Sequence, residues 1–111
     1  MWIGRRPAAL PTVEHPAQSE EFAAAVTAAC SAAGCDVQDY IAAAGAYGSW
    51  MIRFSRDEAR QRLVWNGKEG RLLLEQASTG IDWNELQGCA VAARDASGFV
   101  AAVQGLLQKP A

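Results

Sequence analysis

The 111-residue chain has no apolar run near the roughly 18–20 residues that a membrane-crossing helix needs. It has no CxxC pair, and its one histidine, His15, lies in a proline-rich lead-in, so no metal-ligand spacing is present. The glycines form neither GxGxxG nor GxxxxGK[ST], the loops whose backbone N–H groups cradle phosphates. Neither charge sign dominates: ten basic against twelve acidic residues give a net charge of −2. That balance speaks against a general nucleic-acid binder, and the aromatic content speaks against disorder. The three cysteines, Cys30, Cys35 and Cys89, are an odd number with no secretory signal, and they read as reduced thiols in a cytoplasmic protein.

Half of the residues are apolar, but 23 of them are alanine, so bulky core formers are fewer than the total suggests. What remains supports one domain, expected over residues 18–109. Residues 1–17 read as a flexible arm. Pro7, Pro11 and Pro16 interrupt it, and no continuous apolar segment follows the Arg5-Arg6 pair, so it is not a signal peptide. Trp2 and Ile3 could pin this arm to the domain or to a partner.

Ser19 followed by Glu20 and Glu21 is a helix start, with a capping hydroxyl and acids at the positive end of the dipole. Phe22, Val26, Cys30 and Ala33 then form one helical stripe, which predicts a helix over 19–33 ended by Gly34. Residues 35–44 fit both periods: Val37, Tyr40, Ile41 and Ala44 suit a helix, whereas Cys35, Val37, Ile41 and Ala43 suit a strand. Alternation predicts strands over 49–55, 61–66 and 71–77, with Asn66-Gly67-Lys68-Glu69-Gly70 as a hairpin turn. Ser78-Thr79-Gly80 reads as a loop docked on the core by Trp83 and Leu86, and residues 89–93 as a short extended piece. Asp95 or Ser97 caps a last helix whose stripe is Phe99, Val103, Leu106 and Leu107, ended by Pro110. The expected fold is α+β, a single domain with an antiparallel three- to four-stranded meander flanked by an N-terminal and a C-terminal helix.

Catalysis would need convergent polar groups. Cys35 lacks a base to make thiolate, because His15 lies in the arm. Asp36 with Asp39, and Asp82 with Glu85, are spaced three apart and read as caps or solvated loop acids. No catalytic residue, cofactor or metal is therefore expected. Residues 53–71 carry six basic against three acidic residues, whereas 14–48 carry five acids and no Lys or Arg, so a dipolar molecule with a basic meander is expected. Of the four tryptophans, Trp50 and Trp65 fall on inward positions. Trp2 and Trp83 lie outside the expected elements and suit exposed anchors.

The stretch Tyr47-Gly48-Ser49-Trp50-Met51-Ile52-Arg53-Phe54, with Arg62-Leu63-Val64-Trp65-Asn66-Gly67-Lys68-Glu69-Gly70-Arg71-Leu72-Leu73-Leu74-Glu75 and Trp83, resembles small bacterial proteins of helix–meander–helix plan. Some of these are immunity proteins that neutralise cognate toxins of contact-dependent or type VI secretion systems. The resemblance implies a cytoplasmic, non-catalytic protein that binds and inhibits a secreted toxin domain. Glu20, Glu21, Asp36 and Asp39 would steer a basic toxin, with Trp83 and Trp2 as apolar anchors. The alternative is a dimeric adaptor or secretion chaperone, in which Ala24, Ala28 and Ala32 permit a close helix contact; the chain is then a homodimer rather than a monomer. A third reading is a small regulatory nucleic-acid binder. The order of elements is similar to double-stranded-RNA-binding domains, but Arg94-Asp95-Ala96-Ser97-Gly98 stands where that family has its lysine-rich phosphate clamp.

Overall fold

The computed structural model describes residues 16–43, 45, 47–79 and 81–108. A turn of 3-10 helix at Pro16–Gln18 leads into α1 (Glu20–Ala32), followed by β1 (Asp36–Ala42), β2 (Trp50–Arg56), β3 (Ala59–Asn66), β4 (Arg71–Ala77), β5 (Trp83–Ala90) and α2 (Ala96–Leu107). The strands form one antiparallel sheet in the order β1-β2-β3-β4-β5, so each strand pairs with its neighbour in sequence. The α+β class and the two flanking helices are as expected. The sheet has five strands rather than three or four. Ala17 is buried in the core, so the packed body includes the 3-10 turn.

Both helices start as their sequences predict. Ser19 Oγ accepts the Phe22 N–H at 3.0 Å, and Asp95, not Ser97, caps α2 by accepting the Gly98 N–H at 2.8 Å. The inward stripes Phe22, Val26, Cys30 and Phe99, Val103, Leu106, Leu107 are buried together against one face of the sheet. That face is built by Trp50, Ile52 and Phe54, by Leu63 and Trp65, and by Leu72 and Leu74. Its centre is aromatic: the Phe99 ring meets Trp65, Trp50 and Phe22 edge-on at centroid distances of 4.8, 5.6 and 5.4 Å. Such edge-to-face contacts add to area burial, so this cluster locks both helices to the sheet.

The ambiguous segment is β1, and it carries a register shift between Val37 and Asp39. The extra residue moves the inward set from Val37 to Tyr40 and Ala42, which is why the segment mimics helical spacing. Tyr40 is held by its hydroxyl, which donates to the Ala17 carbonyl at 2.9 Å. The β2–β3 hairpin turns on Asp57 and Glu58, both at positive φ (54° and 65°), between the paired Arg56 and Ala59. This is the primed turn that matches strand twist, made without glycine. In the β3–β4 turn, Gly67 packs where any Cβ would stand 1.9 Å from the Tyr47 carbonyl oxygen, so this close approach requires glycine.

The segment expected to be a loop is mostly β5. A register shift between Leu74 and Glu75 of β4 and their partners Gln87 and Glu85 leaves Leu86 as the extra residue. Trp83 opens this strand and lies on the face away from the helices, opposite Ala77. Leu86 does not dock on the core. It is 52% exposed, because the bulge turns it out of the ladder.

Candidate functional site

Those of the residues proposed from sequence that are described do not converge. Glu20 and Glu21 are exposed on the first turn of α1, and Asp36 is exposed at the start of β1, beyond the helix's other end. The 13-residue helix puts about 20 Å between them. Asp39 is committed within the chain: Arg53 Nε donates to its Oδ1 at 2.8 Å, and the second guanidinium nitrogen pairs with Oδ2. The hydrogen bond from Arg53 holds the Asp39 carboxyl below its ordinary range. Trp83 is half-buried beneath the Arg62 guanidinium, 4.2 Å from the ring centroid. Trp2 lies outside the described residues.

The expected basic face does not form, because cross-strand acids neutralise it. Arg62 Nε donates to Glu75 Oε1 at 2.6 Å, Arg53 pairs with Asp39, and Arg71 stands 4.0 Å from Glu85. Arg56 turns inward, and its Nη1 donates to the Leu107 carbonyl at 2.8 Å, placing a cation at the negative end of α2. Arg62 is the hub of the outer face. It reaches Glu75 on β4, Met51 Sδ on β2 at 3.9 Å and the Trp83 ring on β5.

Burial disfavours the reactive thiolate form at Cys30 and Cys89. Burial, with Cys35 nearby, pushes the Cys30 thiol up to about 12 against a smaller opposing effect of Arg56. Burial also raises Cys89. Among the described residues no group of three or more His, Cys, Asp and Glu could hold a metal. Among the described residues no carboxylate or thiol lines a cavity of about 140 Å³ beside Trp50, Trp65, Phe99 and Arg94.

The feature that stands out is the edge of the sheet at β5, which pairs with no further strand among the described residues. Ile81 is 93% exposed and Leu86 52% exposed, two of the four large exposed hydrophobic residues in the described chain. Asp82 and Glu85 lie between them in sequence, and residues 77–93 contain no Lys or Arg. Neither Ile81 nor Leu86 was singled out for binding from sequence; the bulge that exposes Leu86 has no signature in the chain. The opposite edge differs. The 3-10 turn and α1 pack beside β1, where Gln18 Nε2 donates to the Ala43 carbonyl at 3.1 Å. Among the described residues no helix is long and apolar enough to cross a membrane. Comparison with known protein families, with curated proteins and with solved structures finds no match to this chain.

Proposed function

We propose that the chain is a non-catalytic protein-binding module that docks a basic partner protein along the β5 edge. Its role is that of a cytoplasmic immunity protein, and the partner is a secreted bacterial toxin domain. The supporting observation is exposed Leu86 beside Glu85 on β5, whose outer edge pairs with no other described strand, with exposed Ile81 and Asp82 in the segment just before it. An edge strand offers unpaired backbone groups to an incoming extended segment, and alternate side chains give selectivity. Large apolar side chains at such an edge are an aggregation hazard unless a partner covers them. The two acids add steering toward a basic surface, such as the substrate cleft of a nuclease or deaminase. Of the sequence candidates, Trp83 belongs to this edge as the side chain that Arg62 holds flat. Glu20, Glu21 and Asp36 lie elsewhere and serve at most in long-range steering.

The test is a comparative capture experiment with the full chain. Wild type and a Val64→Arg control should retain one partner, with affinity falling as salt rises. Leu86→Glu and Ile81→Glu should each lose it. Equal retention by all four proteins would overturn the edge as the docking site.

A further inference from the structure

The face of the sheet turned away from the helices is ordered in rows. Pairing across the strands aligns Ile41, Met51, Val64, Leu73 and Gly88 in one row. Among the described residues no helix covers this row: Ile41 is 43% exposed, and Met51, Val64 and Leu73 are half-buried. Leu73 leans over Gly88, whose missing side chain leaves it room; a Cβ there would stand 2.7 Å from Leu73 Cδ2. A shallow apolar hollow of about 220 Å³ lies beside Ile41, Met51 and Val64. On one flank, two residues along each strand and three along β5 across its bulge, runs a charged row of Asp39, Arg53, Arg62, Glu75 and Glu85, with a net charge of −1. On the other flank lie Ala43, Ser49, Asn66, Arg71 and Ala90, with a net charge of +1.

We propose that a second copy of the chain covers this face, related by a two-fold axis that runs along the apolar row, across the strands. In that arrangement the apolar row packs on itself, which makes an isologous contact with the helices outermost. The rotation keeps each strand over its own copy and exchanges the flanks. Glu75 of one copy then faces Arg71 of the other, Arg62 faces Asn66, and Arg53 faces Ser49. Within these two rows every charge meets an opposite charge or a neutral group.

The other in-plane axis, parallel to the strands, stacks the charged row on itself. It sets Arg53 against Glu75 but also Arg62 against Arg62 and Asp39 against Glu85, so its like-charge contacts disfavour it relative to the first axis, which has none in these rows. The pattern therefore selects both the partner and the axis. The charged row also forms the polar rim expected around an apolar contact. This dimer leaves the outer edge of β5 free and is independent of the docking proposed there.

Sedimentation velocity of the full chain reads the proposal directly. Wild type should be dimeric at micromolar concentration. Val64→Arg and, as a second variant, Met51→Lys should be monomeric while keeping the wild-type circular dichroism. Glu75→Arg alone and Arg71→Glu alone should each weaken self-association by about tenfold or more, since each sets like charges face to face. An equimolar mixture of these two variants should dimerise again. In the heterodimer the two introduced charges, opposite in sign, face each other, and the native contact between Arg71 and Glu75 is kept on the other side. A monomeric wild type, a dimer indifferent to Val64→Arg and Met51→Lys, or a mixture that stays monomeric would each overturn the proposal. A dimer formed through Ala24, Ala28 and Ala32 of α1 would show itself by that indifference.

Discussion

The two faces of the sheet treat the same side chain differently. Leu72 and Leu74 point to the helices and are 0% and 3% exposed, whereas Leu73 between them points outward and is half-buried. The inner face is filled by aromatic rings and helix stripes. The outer face carries one apolar row beside one row of compensated charges. Burial on the inner face drives folding, because each large side chain there leaves water completely. The outer face gains little from folding alone, and its apolar row is available for association.

That contrast can be broken most severely at Leu72. Leu72→Ala should cost about 3–4 kcal/mol, since it removes a fully enclosed side chain and leaves a cavity. Leu73→Ala, measured at concentrations too low for self-association, should cost about 1 kcal/mol or less, because solvent can reach the vacated space. Urea denaturation of the two variants side by side measures the difference. If they lose stability equally, the two faces are not energetically distinct.

On the outer face the largest single effect should come from Arg62. Arg62→Ala removes the Glu75 ion pair and the contact over Trp83, a loss of about 1 kcal/mol. Lys68→Ala, in the exposed β3–β4 turn, should stay within about 0.5 kcal/mol of wild type. Glu58→Gly should have the opposite sign. It relieves a non-glycine residue at φ 65° in the β2–β3 turn and should add about 0.5–1 kcal/mol in the same assay.

The smallest effect is a pH dependence. Arg53 depresses the Asp39 carboxyl in the folded chain, so the unfolded chain takes up this proton first on acidification. The stabilisation is present above the ordinary aspartate pKa of about 3.9 and is lost as pH falls through the lower folded value. Asp39→Asn should flatten this part of the acid limb of a stability–pH curve, and added salt should shrink the difference. A steeper acid limb in Asp39→Asn would contradict the pairing.

The inner face was largely legible in the chain. Phe22, Val26, Cys30 and Phe99, Val103, Leu106, Leu107 occupy the faces that helical spacing assigns them, and Trp50 and Trp65 are the inward residues that alternation picks out. The two edge strands were not legible, and both contain a bulge. In β1 the extra residue near Gln38 turned a strand pattern into a helix-like one; in β5 the extra residue Leu86 dissolved the alternation. A bulge costs one residue of phase, enough to defeat a period-2 signal over seven or eight positions. The charges misled for another reason. A local excess of arginine counts only neighbours in sequence, whereas Asp39, Glu75 and Glu85 reach Arg53, Arg62 and Arg71 across the sheet. The outer row and the β5 edge are products of register, which exists only after the strands have paired.

Docking of a partner protein along β5, as proposed, is best tested by hydrogen–deuterium exchange of the chain, alone and with its captured partner. New protection is expected to concentrate in the amides of Asp82 and β5, with α1 and α2 unchanged. Protection confined to α1 around Glu20 and Glu21, with β5 exchanging as in the free chain, would contradict it.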